Sequence, residues 1–232
     1  MKRTRALWMS LAVVWGSLLG GASFGLDLAS LTNQDAARGI KGALDKGAAA
    51  AVDRLGAPGG FQNDPKVKIP LPPALDQIAK AMRLLGRSKE ADALVESMNR
   101  AAEQAMPAAR ELLVASVKSM SFHDAKKILT DGDGSVTAFF REKTAAPLAV
   151  KFLPIIKQET DKVGLAQKYD QLAGQGEKLG LLKGDDANIE EYVTHKALDG
   201  LYLSIAEEEH KIRENPAAAG SAIVSKVFGL LH

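Results

Sequence analysis

From residue 40 onward the apolar positions recur at helical intervals. Ile40, Leu44, Gly47, Ala48, Ala51, Val52 and Leu55 stand at i, i+4, i+7 and i+8, the interval that lines one face of a helix with 3.6 residues per turn. Gly39, Gly42 and Ala43 in the same stretch predict close approach by another helix. Leu75, Ile78, Met82 and Leu85 make a second stripe, opened by Pro72-Pro73 and stopped by Gly86. Ser88 to Gln104 carries a third through Leu94, Val95, Met98 and Ala102. Pro107 predicts a new helix start or a kink. Ser121-Phe122-His123-Asp124 has the spacing of a capping box before a short helix to Leu129. Val136, Phe139 and Phe140 open another helix, which Pro147 and Pro154 are expected to break into pieces. Tyr169 and Leu172 suggest one more, ending near Gly174 or Gly176. The longest clean pattern runs from about Ile189 to Arg213, with Val193, Ala197, Leu201, Ile205 and Ile212 on one face. Asn188 and Glu191 have the form of its N-cap and reciprocal acid, and Asn215-Pro216 ends it. Ile223, Val227 and Leu230 mark a last helix.

One stretch refuses this period. In GGFQNDPKVKIPLPP, about residues 59–73, the prolines deny a helix, and Val67, Ile69 and Leu71 alternate with Lys66, Lys68 and Pro70. The reading is an extended strap with one apolar edge. That edge either lies across the helices or is offered to a partner chain. There is no period-two pairing of strands and no fixed-length repeat. The fold class is therefore all-α: a single-domain multi-helix bundle with one extended Pro-rich strap.

The N-terminus changes how the charge is read. Lys2, Arg3 and Arg5 precede an uncharged, mostly apolar run from Ala6 to Leu19, then Gly20-Gly21-Ala22-Ser23. This is the layout of a secretory signal peptide, and the run is short for a span of roughly 20 residues. Residues 1–25 are read as the signal and 26–232 as one domain, exported to the periplasm. The alternative is an inner-membrane anchor made by an uncleaved N-terminal segment. The signal holds three of the 30 Lys and Arg and none of the 28 Asp and Glu. The remainder has a net charge of −1, which removes the main support for nucleic-acid binding. Both tryptophans, Trp8 and Trp15, leave with it. Gly21-Ala22-Ser23-Phe24-Gly25 spells the nucleophile-elbow pattern but lies at the cleavage site, without the strand and helix the elbow needs. With no cysteine, disulfides, thiolate metal sites and thiol nucleophiles are excluded. Aromatic residues make up 5%, which disfavours a β-rich core.

NDPKVKIPLP (63–72), SMNRAAE (97–103), MSFHDAKKIL (120–129) and EEYVTHKALDGLYLSIAEEEHKIRENPAA (190–218) occur in that order. Together they resemble the bacterial family known as domain of unknown function number 4197, over most of residues 26–229. The resemblance implies an exported, all-helical domain and implies no activity. His123, His195, His210 and the Asp131–Gly134 turn depart from the family pattern, so chemistry resting on them would belong to this chain alone.

The candidate chemistry is sparse. Glu208 stands seven residues from Leu201, on the apolar stripe of the long C-terminal helix, and an inward carboxylate needs a partner. Arg213 is poorly aimed from the same helix, so Arg100 or Arg141 from another helix is expected. Glu207, Glu208, Asn99, Arg100 and Arg141 are thus the candidate polar pocket or buried ion pair. Lys66, Val67, Lys68, Ile69 and Leu71 are the candidate partner-binding strap. Asp131, Asp133, Ser135 and Glu142 match offsets one, three, five and twelve of a calcium loop. Position six is Val136 where that loop turns on glycine, so a tight turn capping the next helix is the competing reading. No metal or other cofactor is expected. The histidines lack zinc-helix spacing, and Gly174-Gln175-Gly176 lacks the strand context of a dinucleotide loop. The sequence points to a non-catalytic envelope protein binding an apolar small molecule or a protein partner. Its rival is a hydrolase or lyase using a Glu/Arg pocket around Glu208.

Overall fold

A computed structural model of the chain describes residues 33–84, 86, 88–162, 164, 167–169, 174 and 189–216, with the side chains of 33–36 and Ala74 left out. The described residues include seven helices with defined bounds and no strand. They are α1 (Asn33–Gly56), α2 (Pro73–Leu84), α3 (Lys89–Ala105), α4 (Pro107–Ser119), α5 (Phe122–Thr130), α6 (Ser135–Lys162) and α7 (Ile189–Glu214). The all-α class follows the hydrophobic periods directly. Of the expected helix around Tyr169 and Leu172, residues 167–169 and 174 are described and are helical, with Tyr169 packed against the core. The Asn188 cap, the C-terminal stripe and the N-terminal signal lie outside the described residues.

The centre of the bundle is α6 against α7, with α1 across α7 and α4, and α3 against α6. The stripe on α1 is sealed: Ile40, Ala51 and Leu55 are fully buried. Leu75, Ile78 and Met82 of α2 are buried too. Local signals set the helix ends. Gly86 takes a positive φ of 71° two residues after α2 ends. Pro107 is the first residue of α4, where its missing N–H costs nothing. Ser121 and Asp124 form the capping box in full at the start of α5.

Helix α6 corrects one expectation. Pro147 and Pro154 do not break it; the helix runs 28 residues through both. The two prolines are seven residues apart, both exposed, and share the outward face. The opposite face buries Phe140, Thr144, Leu148, Phe152 and Ile156, all at 1% exposure or less. Burial of a large side chain contributes about 1.5–3 kcal/mol, so this row outweighs the two helical hydrogen bonds the prolines remove.

The chain between α1 and α2 is the strap, and it is less extended than expected: it turns through 58–63 and 65–67, where backbone N–H groups fold back on Ala57, Gly59 and Asp64, and leaves the turns only over 68–72. Phe61 is fully buried, and Val67, Ile69 and Leu71 are buried at 6, 1 and 5% exposure. Lys66, Lys68 and Pro70 between them are exposed. The alternating edge faces the protein's own helices. Phe61 fits because of a glycine: a Cβ on Gly200 of α7 would stand 2.7 Å from the ring.

Candidate functional site

Two polar clusters hold the interior, and both are built from α3 or α7 side chains aimed at backbone. The first fastens the strap. Val95, Asn99 and Glu103 stand four residues apart on α3, and Asn99 and Glu103 are buried. Asn99 Oδ1 accepts from Ile69 N–H at 2.8 Å, and its Nδ2 donates to Ile69 C=O at 2.9 Å and to Val95 C=O at 2.8 Å. The amide thus pairs with both main-chain groups of one strap residue, as a neighbouring strand would. One turn on, Glu103 Oε1 accepts from the N–H groups of Phe61 and Gln62 at 3.1 and 3.2 Å. Tyr192 of α7 donates its hydroxyl to Pro70 C=O at 3.0 Å.

Charges close the strap's outer side. Arg54 donates to Asp64 at 3.1 Å, to Ser204 Oγ at 2.6 Å and to Glu207 at 2.7 Å, and Lys66 reaches Glu207 at 2.7 Å. The bond from Lys66, with Arg54 beside it, holds the Glu207 carboxyl below the usual carboxylate range. The strap also spends its own donors. Lys66, Val67 and Lys68 N–H all return to Asp64, and Ile69 N–H goes to Asn99. Pro65, Pro70, Pro72 and Pro73 have none to give.

The second cluster is the corner between α5 and α6. Glu209 accepts from Val136 and Thr137 N–H at 3.2 Å each and from Thr137 Oγ1 at 3.0 Å, so a carboxylate sits on the first turn of α6. Arg213, one turn along α7, donates to Glu209 at 3.0 Å, to Ile128 C=O at the end of α5 at 3.0 Å, and to Ser135 Oγ at 2.8 Å. Both side chains are nearly sealed, at 2 and 9% exposure. One i,i+4 pair therefore caps the end of one helix and the start of the next, and ties both to α7.

These placements revise the expected pocket. Glu208 does not meet Arg100 or Arg141. It pairs with Lys211 at 2.7 Å, 18% exposed, and lies against Gly47 of α1. Arg100 is exposed. Arg141 lies over the Tyr202 ring, 4.6 Å from its centre, and 3.7 Å from Asp199. Asn99 and Glu207 both hold the strap, from different helices. The inward carboxylate is Glu209 and its partner is Arg213, the arginine judged badly aimed. The reason is geometric. Ile189, Val193, Ala197, Leu201, Ile205, Glu209 and Arg213 are all buried, an unbroken i+4 ridge that winds about 40° around the helix per step. The seven-residue step from Leu201 to Glu208 leaves that ridge. Glu103, Glu209 and Arg54 were missed; extending the i+4 rows of α3 and α7 would have found the first two.

The calcium-like residues line one groove of about 450 Å3 between α5 and α6, but each has another partner. Asp131 accepts from Thr130, Asp133 faces Arg213 and His210, Ser135 accepts from Arg213, and Glu142 takes Lys143. Among the described residues no three His, Asp or Glu side chains stand where they could share an ion.

A family model described as a protein of unknown function, DUF4197, matches residues 30–229. The chain belongs to this family. No curated protein and no solved structure matches the chain. Three of the four stretches that carry the resemblance to the family meet at the strap: 63–72 is the strap itself, 97–103 supplies Asn99 and Glu103, and 190–218 supplies Tyr192, Gly200, Ser204 and Glu207. The fourth, 120–129, supplies the Ser121 capping box and the Ile128 carbonyl that Arg213 holds. Among the described residues no helix is long and apolar enough to cross a membrane.

Proposed function

We propose that this protein is an exported, non-catalytic helical domain of the cell envelope that acts by binding a protein partner. The observation that carries the reading is the use made of the buried polar side chains. Asn99, Glu103 and Glu209 each take main-chain N–H groups of this same chain as partners. An acid or base reserved for catalysis must keep an atom within reach of substrate. These three are occupied in holding the strap and a helix end. Export rests on the layout of residues 1–25.

The choice of a protein partner over an apolar small molecule follows from packing. Between α1, α6 and α7 the space bordered by Leu44, Gly47, Phe140, Ile205 and Ile212 amounts to about 10 Å3. That is the lower limit for one water molecule, whereas ligand pockets run to about 300–1,000 Å3; the grooves of that size, about 450 Å3 between α5 and α6 and about 320 Å3 beside Glu208 and Lys211, are bordered largely by charged side chains and suit an apolar molecule poorly. The strap's apolar edge is occupied by the bundle, so a partner would meet its Lys66 and Lys68 side and not Val67, Ile69 or Leu71.

Expression with the native leader, cell fractionation and native mass spectrometry of the envelope material test this reading. It predicts a periplasmic product shortened by roughly 25 residues, with another polypeptide and no stoichiometric small molecule attached. A full-length cytosolic product, or a bound metabolite that Glu208→Gln removes at unchanged melting temperature, would overturn it in favour of the Glu/Arg-pocket rival.

A further inference from the structure

Aspartate precedes glycine three times in the chain: Asp131-Gly132 and Asp133-Gly134 in the turn between α5 and α6, and Asp199-Gly200 inside α7. In this dipeptide the glycine nitrogen lies one five-membered ring away from the aspartate side-chain carbonyl. The missing Cβ leaves that approach open. The three pairs stand in different surroundings. Asp131 is exposed and directly follows α5. Gly132 and Gly134 have φ of 73° and 83°, and a Cβ on either would meet nothing within 4 Å. Among the described residues neither glycine N–H has a hydrogen-bond acceptor. Both nitrogens are therefore free to react, in a surface turn with room to move.

The side chains separate the two. The Asp133 carboxylate is turned toward α7, with one oxygen 3.4 Å from Arg213 Nε and the other 3.5 Å from His210 Nδ1. Asp131 has no such tether among the described residues: its side chain accepts from the adjacent Thr130 hydroxyl at 3.1 Å. The third pair is shut away. Gly200 is buried in the middle of α7, where its N–H belongs to the helical ladder.

We infer that Asp131 is a modification site, at which the side chain closes on the Gly132 nitrogen and the chain converts to isoaspartate without an enzyme. The Gly132 nitrogen bonds to Asp131 Cγ, the Cγ–OH bond breaks, and the amide proton and the hydroxyl leave as water. Water then opens the cyclic imide at either carbonyl. Opening at the side-chain carbonyl restores aspartate. Opening at the main-chain carbonyl leaves the chain running through Cγ and frees the former main-chain carboxyl, so the composition is unchanged and the backbone is one atom longer. That atom enters beside the α5–α6 corner. The Gly132 carbonyl accepts from Ser135 N–H at 3.3 Å and from Ser135 Oγ at 2.7 Å, and Ser135 Oγ accepts from Arg213 at 2.8 Å. Isomerisation thus displaces the turn that sets Ser135 against the buried Arg213.

The test is incubation of the full chain in warm neutral buffer over weeks. A carboxyl methyltransferase that labels isoaspartate, followed by peptide mapping, then locates the product. Label should accumulate first at Asp131 and more slowly at Asp133. At Asp199 it should be at least about a hundredfold slower, because a helix interior opens rarely. His210→Gln loosens Asp133 and should speed labelling there while leaving Asp131 unchanged. Asp131→Asn should convert faster than wild type, since ammonia leaves more readily. Asp131→Glu should stay unlabelled at this position, because the larger ring closes slowly. All these positions are exposed, and circular dichroism of the fresh variants checks that they fold. The aged wild type should melt about 2–4 °C below the fresh protein, and aged Asp131→Glu should not. Equal label at Asp131 and Asp199, label appearing first at Asp133, or label at Asp131 in urea but not in the folded protein would overturn the assignment. Label at Asp131 with an unmoved melting temperature would overturn the link to Arg213.

Discussion

Replacing Asn99 with alanine asks whether this residue is a fastener or a ligand contact. The side chain is fully buried and makes three hydrogen bonds, two of them to Ile69 N–H and C=O. Ile69 is itself 1% exposed, so water cannot readily replace what the amide supplied. Each buried main-chain group left without a partner costs about 1–3 kcal/mol. Two such groups give a loss of about 3–4 kcal/mol, a large share of the 5–15 kcal/mol typical of a folded domain. For a chain of this size each kcal/mol corresponds to roughly 2–4 °C, so the melting temperature should fall by about 10 °C. Urea unfolding gives the free energy, and hydrogen exchange at the Ile69 amide locates the damage. Asn99→Asp sharpens the case. It keeps an acceptor for Ile69 N–H but sets a carboxylate against two carbonyls, so burial and those carbonyls raise its pKa. Its deficit should be greatest at neutral pH and shrink as the pH falls and the carboxyl gains a proton to donate. A loss below about 1 kcal/mol in Asn99→Ala, with Ile69 still protected, would refute the fastener argument and reopen Asn99 as a pocket residue.

Two glycines on packed helix faces should respond with opposite sign. Gly200→Ala drives a Cβ to 2.7 Å from the Phe61 ring and should cost about 1–3 kcal/mol in urea unfolding, despite alanine's better helix propensity. Gly47→Ala meets nothing closer than 3.6 Å and should stabilise by about 0.5–1 kcal/mol; equal effects would show that the helix contacts are misplaced. Arg213→Met leaves Glu209 buried beside the first turn of α6 without its cation and should cost about 3–5 kcal/mol, read by thermal unfolding. Glu207 ionises more readily in the folded state because Lys66 and Arg54 bond it. Its contribution is present above the unfolded carboxylate value of 4.5 and fades as pH falls through the lower folded value. Glu207→Gln should therefore lower the melting temperature at pH 7 and flatten its decline below pH 4.5; parallel curves for wild type and variant would contradict the assignment.

Much of the architecture was legible because the core is made by periodic rows, and periodic rows are visible in a string. Ile40 to Leu55 and Ile189 to Ile205 announced their helices unaided. The alternation of Lys66, Val67, Lys68, Ile69, Pro70 and Leu71 announced which side chains turn inward, but not that the chain turns through 65–67 before it straightens. What failed was reading proline as a local event. Pro147 and Pro154 each remove a hydrogen bond, and the period around them is weak because α6 carries apolar residues outward as well as inward. Only the neighbours that cover Leu148, Phe152 and Ile156 decide that the helix continues, and those neighbours come from distant parts of the chain.

The polar interior was legible in part, and the boundary falls at a definite place. A side chain that bonds main chain leaves no mark on its partner's sequence position: nothing about Ile69 or Val136 foretells a bond from Asn99 or Glu209. What the sequence does hold is the donor's own register. On α7 the i+4 ridge from Ile189 to Ile205 is entirely apolar, and its next two steps are Glu209 and Arg213. An apolar ridge that ends in an acid and a base one turn apart has only one way to stay buried without an uncompensated charge, which is to pair the two and give their remaining valences to helix ends. The α5–α6 corner supplies both kinds of end at once, carbonyls from Ile128 and amides from Val136 and Thr137. The same reasoning accounts for α3, where Asn99 and Glu103 continue a row begun by Val95 and meet a segment whose prolines and turns leave main-chain groups in need of partners. In both places the polar residues stand where regular secondary structure stops. Their chemistry is matched to unfinished backbone, and that match ties the strap to α3 and α7 and the α5–α6 corner to α7.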